Sequence, residues 1–261
     1  MPTAVLIDGA FFLKRYRSVF GGGSEHTAQQ IAKRAFWMAL KHLEQQHERR
    51  HLYRIFFYDC PPLEKKLHNP VTGKAIDLAK SSEALFRRAL HDELRKLRKV
   101  ALRLGHLGES GGWALKPEPT KALLSKKIAI ADLTDADVAY DVRQKGVDMR
   151  IGLDIASLSY KRQVDQIILV AGDSDFVPAA KLARREGVDF LLDPMWSNIH
   201  PSLHEHVDGL RSVCPKPTKG AVAGTPDAAP AGAMAPVSAA SVMPAVALSS
   251  MTEPAEAKSS I

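Results

Sequence analysis

The chain has 261 residues, 45% of them apolar, enough for one domain with a buried core, alone or with a tail. Lys and Arg outnumber Asp and Glu by 36 to 29, and the net +7 favours an anionic partner without naming one. Cys60 and Cys214 are far apart and belong to no CxxC pair, which excludes a disulfide scaffold and a cysteine-based zinc site; no apolar run is long enough for a membrane span.

The first residues, MPTAVLID, run straight into a strand-like segment; this leaves no room for a signal peptide, and a cytoplasmic protein is expected. Ala4–Ile7 (AVLI) is the first expected strand. A helical pattern covers about 27–46, and Ile55–Tyr58 is the second strand. Residues 61–135 are too long for a simple crossover and must carry structure of their own. They predict a helix over 81–99, then a hairpin in which Val100–Leu107 and Trp113–Lys116 flank the turn GESGG, with Pro117 and Pro119 stopping anything regular. A helix over about 150–161 precedes the third strand, Ile167–Ala171, and another over about 175–186 precedes the fourth, Val188–Leu192.

Near-continuous Val, Ile, Leu and Phe in these runs is what strands covered on both faces require. Their alternation with helices predicts an α/β fold: a doubly wound domain with a central, mostly parallel sheet and helices on both faces. From Pro215 the chain is rich in Ala, Pro and Ser and has no Trp, Tyr or Phe. Lys216, Lys219 and Lys258 cancel Asp227, Glu253 and Glu256, so the whole +7 precedes this segment. Residues 214–261 are therefore expected to be a disordered tail, either a solvated extension or a segment that binds an unknown protein.

Acidic residues gather where these strands end. The first strand ends in Asp8-Gly9, and the third in Gly172-Asp173-Ser174-Asp175-Phe176. In open parallel sheets, ligands bind in the crevice beyond the carboxyl ends of the strands, so Asp8 and Asp173 should point into one crevice. Asp148, in Lys145-Gly146-Val147-Asp148, falls at or near a helix N-cap, and Asp175 opens the following helix. Each of these aspartates can be explained locally, Asp148 and Asp175 as caps and Asp8 as a turn residue. Together they repel one another, and a divalent cation resolves that repulsion; all-oxygen ligands select Mg²⁺ or Mn²⁺. Asp154, six residues after Asp148, fits an ion pair with a nearby Lys or Arg as well as a role at the metal. Asp59, ending the second strand, could also reach the crevice.

The segments AVLIDG, KGVDMRIGLDIASL and DQIILVAGDSDFVPAAKLARREG resemble the NYN domain of the LabA/DUF88 group, within the PIN-like nuclease superfamily. The likeness spans most of 3–213, with 1–213 as the domain and 61–135 as an insertion within it. It implies a PIN-like fold whose acidic centre binds Mg²⁺ or Mn²⁺ and cuts RNA. Asp8, Asp148, Asp173 and Asp175 match the family's acidic positions and become the expected catalytic and metal-binding residues. Such domains often read DGxN, and here the fourth position is Phe11.

A phosphodiester substrate needs a positive surface beside such a pocket. On the helix 81–99, Phe86, Leu90, Leu94 and Leu97 form an apolar stripe, and Arg88, His91, Arg95 and Arg98 are expected opposite it, extended by Lys99 and Arg103. Lys145 and Arg150 flank Asp148 and should lie near the crevice. A basic face binds phosphates without reading bases, and an unstacked single strand passes through such a groove more readily, which points to single-stranded RNA. Two other classes fit the same acids: a non-catalytic RNA-binding or regulatory module, favoured by Phe11, and a receiver-like phosphoryl-transfer domain, weakened because the first strand supplies a single Asp rather than a D-x-D pair. Oligomeric state, including a homo-oligomer, is left open.

Five motif matches are declined. His47-Glu48-Arg49-Arg50-His51 fits H-E-x-x-H, but a strand begins immediately after His51, so both histidines cannot share a helix. Gly108-Glu109-Ser110-Gly111-Gly112 fits G-x-S-x-G but is not followed by a helix. Thr72-Gly73-Lys74-Ala75 lacks the upstream Gly and the Ser/Thr of a phosphate loop. His200, His204 and His206 fit a surface helix end, and Gly21-Gly22-Gly23 a flexible loop.

Overall fold

A computed structural model describes residues 2–21, 26–45 and 48–217. In chain order it contains β1 (Pro2–Asp8), α1 (Gly9–Phe20), α2 (Ala28–Lys41), β2 (Glu44–Gln45), β3 (Glu48–Arg49), β4 (His51–Asp59), β5 (Lys66–His68), β6 (Ala75–Asp77) and α3 (Ser82–Lys96). Then follow β7 (Val100–Leu104), β8 (His106–Leu115), α4 (Pro117–Leu124), β9 (Val138–Lys145), α5 (Val147–Tyr160), β10 (Gln166–Val170), α6 (Val177–Arg185), β11 (Asp189–Asp193), α7 (Pro201–His204) and β12 (Gly209–Leu210).

Six strands form one parallel sheet in the order β12-β11-β10-β1-β4-β7. The alternation of side chains along β1 supplies both faces of the core. Val5 and Ile7 pack with Phe12, Ile31, Ala35, Leu90 and Leu94 of α1, α2 and α3. Ala4 and Leu6 pack with Ile151, Ile155, Leu158 and Ala180 of α5 and α6. The doubly wound α/β expectation therefore holds. Among the described residues no helix is long and apolar enough to cross a membrane.

Local chemistry explains the helix starts. Thr27 accepts the Gln30 N–H at 3.2 Å while the Gln30 side chain accepts the Thr27 N–H at 2.8 Å, a reciprocal cap that begins α2. Ser81 caps α3 through the Ala84 N–H at 3.2 Å.

The insertion departs from expectation. Val100–Leu104 is not a hairpin arm but the edge strand of the central sheet, in parallel register with β4 from Ile55↔Val100 to Asp59↔Leu104. The hairpin is instead β8 with β9, and β8 continues through the predicted turn. A bulge between Glu109 and Gly112, with Gly112 at φ 72°, absorbs the glycine-rich segment without ending the strand. Pro117 starts α4 rather than stopping regular structure, since its missing N–H costs nothing at the first helical position. Glu48 and Arg49 are in a strand and His51 in the next, so H-E-x-x-H is not helical; His47 lies outside the described residues. Gly22, Gly23 and the tail from residue 218 also lie outside them, whereas Cys214, placed at the head of that tail, is buried in the core.

Candidate metal centre

The connections place the site. From β1 the chain moves through β4 to β7, and then returns to β10, on the other side of β1, before moving outward to β11 and β12. The order therefore reverses between β1 and β10, where the connections leave a crevice at the carboxyl edge. Asp8 ends β1 and Asp173 lies just past β10, with Ile7 paired to Val170, so the two acids flank this switch point.

Asp8 is also the N-cap of α1: its Oδ1 accepts the Ala10 and Phe11 N–H groups at 3.0 and 3.2 Å. Gly9 is dictated by packing, because a Cβ there would meet the Tyr58 carbonyl at 2.5 Å and the Phe57 ring at 2.7 Å. Burial drives the Asp8 carboxyl up to about 7; the charges of Asp148 and Asp59 add to this, and the two backbone hydrogen bonds oppose it. Asp148 sits in the first turn of α5, whose N-cap is the left-handed Gly146, so it is not itself the cap. It too is pushed up, by burial and then by the charges of Asp173 and Asp175. Asp173 caps the short turn Ser174–Phe176 by accepting the Asp175 N–H at 3.0 Å, and Asp175 lies exposed within that turn rather than at the start of α6.

These interactions link Asp8 to Asp148 and Asp148 to Asp173 and Asp175. Among the described residues, however, no three such donors are drawn together closely enough to hold an ion as the side chains stand. The donor set is all carboxylate oxygen, which suits a hard divalent cation, and a dication would offset both the burial and the smaller repulsion that raise Asp8 and Asp148. The residues fit such an ion in chemistry; their side chains must turn inward to bind it.

Asp59 and Asp154 are engaged elsewhere. Asp59 is fully buried, paired with Arg87 through Oδ1 and with His91 through Oδ2 at 2.8 Å, and Gln144 donates to it at 3.4 Å. Burial alone would raise its pKa, but the hydrogen bonds and charges of His91 and Arg87 outweigh that and hold it below the usual range. Asp154 accepts the Tyr58 hydroxyl at 2.8 Å and pairs with Arg103 Nε at 3.1 Å, the ion-pair role weighed for it.

The cations expected to share one face of 81–99 are divided, although Arg95, Arg98 and Lys99 remain exposed. His91 faces inward to Asp59, Arg88 donates to the Ala79 carbonyl and Arg95 pairs with Asp92 at 2.7 Å. Arg98 and Lys99 lie beyond α3, and Lys99 donates to the Leu52 carbonyl near the start of β4. The physical reason is the crossover: α3 leaves the carboxyl edge and returns toward the amino edge, and Val100, soon after its last turn, pairs with Ile55, three residues before the Tyr58 that pairs with Asp8. Lys145 and Arg150 do lie at the start of α5 beside Asp148. Lys145 lies along Gly108, and Arg150 Nη1 folds back onto the Gly146 carbonyl at 2.8 Å.

Two features were not anticipated. Arg87 is buried on the side of α3 expected to be apolar; its spacing from Glu83, which it contacts at 2.8 Å, was the available signal. The Phe11 ring covers Gly172, where a Cβ would be 2.6 Å from Cε2, so the aromatic at the family's Asn position is packed into the crevice wall. The remaining declined motifs stay structural: His200 caps α7 through the Ser202 N–H, and Thr72-Gly73 sits in the connection of the β5–β6 hairpin.

A search of curated proteins returns no match. A family model does match, and its span takes in β7, the segment bearing Asp148, and the β10 segment bearing Asp173 and Asp175; Asp8 lies before it and reaches the crevice through the pairing of β1 with β10. Residues 76–205 are thus matched by the model of the NYN domain, which is the family this chain is similar to.

Proposed function

We propose that the protein is a metal-dependent endoribonuclease, an NYN domain of the LabA/DUF88 type with the PIN-like nuclease fold, acting on single-stranded RNA in the cytoplasm. The observation that carries this is the gathering of Asp8, Asp148 and Asp173 at the switch point between β1 and β10, where burial first and then neighbouring carboxylates raise Asp8 and Asp148. These four residues would hold Mg²⁺ or Mn²⁺. Such an ion supplies an activated water and neutralises the charge that develops on a phosphodiester during hydrolysis. Asp8 and Asp173 each accept backbone N–H groups through Oδ1, which leaves the other oxygen of each carboxylate to turn toward the ion. Lys145 and Arg150 are the cations beside Asp148 and would contact substrate phosphates. Residues 1–213 act as the catalytic domain, and 214–261 as an appended segment that serves as an extension or binds a protein.

Purified protein with Mn²⁺ should degrade single-stranded RNA, and EDTA or Asp173→Asn should abolish this while the circular dichroism spectrum stays unchanged. Activity that survives both treatments would refute the assigned centre. A non-catalytic RNA-binding module is the second reading, favoured by Phe11 packed over Gly172; tight RNA binding with no cleavage under any divalent ion would establish it instead.

A further inference from the structure

The connection after β11 is held in a strained shape. Met195 and Trp196 are both left-handed, at φ 45° and 62°, which costs non-glycine residues free energy. Several hydrogen bonds enforce it. Asp193, buried at the end of β11, accepts the Met195 N–H at 2.7 Å through Oδ1, and its Oδ2 pairs with the buried His42 at 2.9 Å. Arg15 of α1 donates to the Met195 carbonyl through Nε at 3.1 Å and Nη2 at 2.7 Å. The Trp196 N–H donates to Ser212 Oγ at 3.1 Å, and the indole Nε1 to the Cys214 carbonyl at 2.8 Å. Met195 is fully buried by this arrangement, yet the immobilised Trp196 remains 43% exposed. Covering the core needs only Met195; it does not account for a fixed indole facing solvent.

The place of this indole is informative. Asp193 pairs with Val170, three residues before Asp173, so the connection opens from the carboxyl edge one strand away from the acids. Arg15 lies one helical turn after Phe11 on the same side of α1, and Phe11 covers Gly172. Asp173, Phe11, Arg15 and Trp196 therefore follow one another along the edge. The exposed Lys216 brings its ammonium to 5.5 Å from the Trp196 ring centroid. An aromatic fixed by hydrogen bonds, with an exposed cation lying over its ring, offers the two groups that single-strand binding sites use: the ring stacks a base of any identity once the cation moves onto the phosphate.

We propose that Phe11 and Trp196 are stacking platforms for the bases of single-stranded RNA that runs from the carboxylate crevice toward β11, with Lys216 on its backbone. This rests on the RNA reading above and adds to it the path of the strand and the residues that grip it. The test is the affinity of the full chain for a ten-nucleotide oligouridylate in EDTA, where nothing is cut, read by fluorescence anisotropy. Trp196→Leu should weaken binding about tenfold, Trp196→Phe should restore most of it, and Phe11→Leu should weaken it by a similar factor. In a Trp37→Phe/Trp113→Phe background the remaining indole should be quenched by the oligonucleotide and not by heparin, which has charge without bases. If the wild type binds and Trp196→Leu binds equally well, the platforms are refuted while RNA binding stands. An equal loss of heparin binding in Trp196→Leu also overturns the proposal, because the effect is then not stacking. If the wild type binds no oligonucleotide, the RNA reading fails and takes the platforms with it.

Discussion

Replacing Asp8 by Asn should stabilise the metal-free protein. The carboxyl rises from 3.8 to about 7 on folding, so keeping it ionised in the crevice costs about 4 kcal/mol, or about 2–4 kcal/mol once water reaching the partly open side chain is allowed for. Asn keeps the oxygen that accepts the Ala10 and Phe11 N–H groups, so the start of α1 is preserved. The sign follows from linkage: the folded state binds the Asp8 proton more tightly than the unfolded chain. Wild-type stability from this group is thus fully present below about pH 4 and lost as pH rises through about 7. Asp148 is shifted in the same direction and leaves a residual slope in the variant, whereas Asp59, held low, acts only as pH falls below the ordinary carboxylate range. Melts in EDTA at several pH values between about 4 and 8 should show the two proteins converging at the acid end. At the alkaline end Asp8→Asn should be higher by about 4–16 °C for a domain of this size. Millimolar Mg²⁺ or Mn²⁺ should raise the wild-type midpoint by binding the native state and raise that of the variant little. Superimposable midpoints across this range in EDTA would refute the claim that the crevice is under electrostatic pressure.

Arg87→Ala should destabilise the fold by about 3–5 kcal/mol in urea unfolding, because it leaves Asp59 buried with its strongest ion pair removed; a change under 1 kcal/mol would mean that water reaches Asp59. Charge reversal at Lys145 or Arg150 should weaken RNA binding and flatten its salt dependence by about one unit of slope per residue, and reversal at Arg95 or Arg98 should leave both unchanged, as filter binding across a salt series would show.

Where the sequence was readable, the signal was local. A strand buried on both faces needs unbroken apolar residues, so AVLI and IILV announce themselves. An acid at or just past the end of such a run sits at the carboxyl edge of a parallel sheet, and Asp8 and Asp173 both do. Asp148 came through its position just ahead of a helix, though Gly146 takes the cap. The cations of 81–99 are the opposite case. Arg88, His91, Arg95 and Arg98 share a helical face by spacing, but spacing carries no information about which end of a crossover helix meets the crevice or which side chain finds a buried acid.

The pattern of apolar runs and the residues that end them determined by themselves that this is an α/β chain with an acidic edge, since burial and chain direction follow from neighbours in sequence. Tertiary structure alone decided that β7 joins β4 rather than a hairpin, that β8 finds β9 more than twenty residues away, and that Asp59 is neutralised by Arg87 and His91 while Asp8 is not. Strand pairing and charge pairing are contacts between segments distant in the chain; the hydrogen-bond groups of β7 and the carboxylate of Asp59 can be satisfied in several ways locally, and only packing the whole sheet selects one.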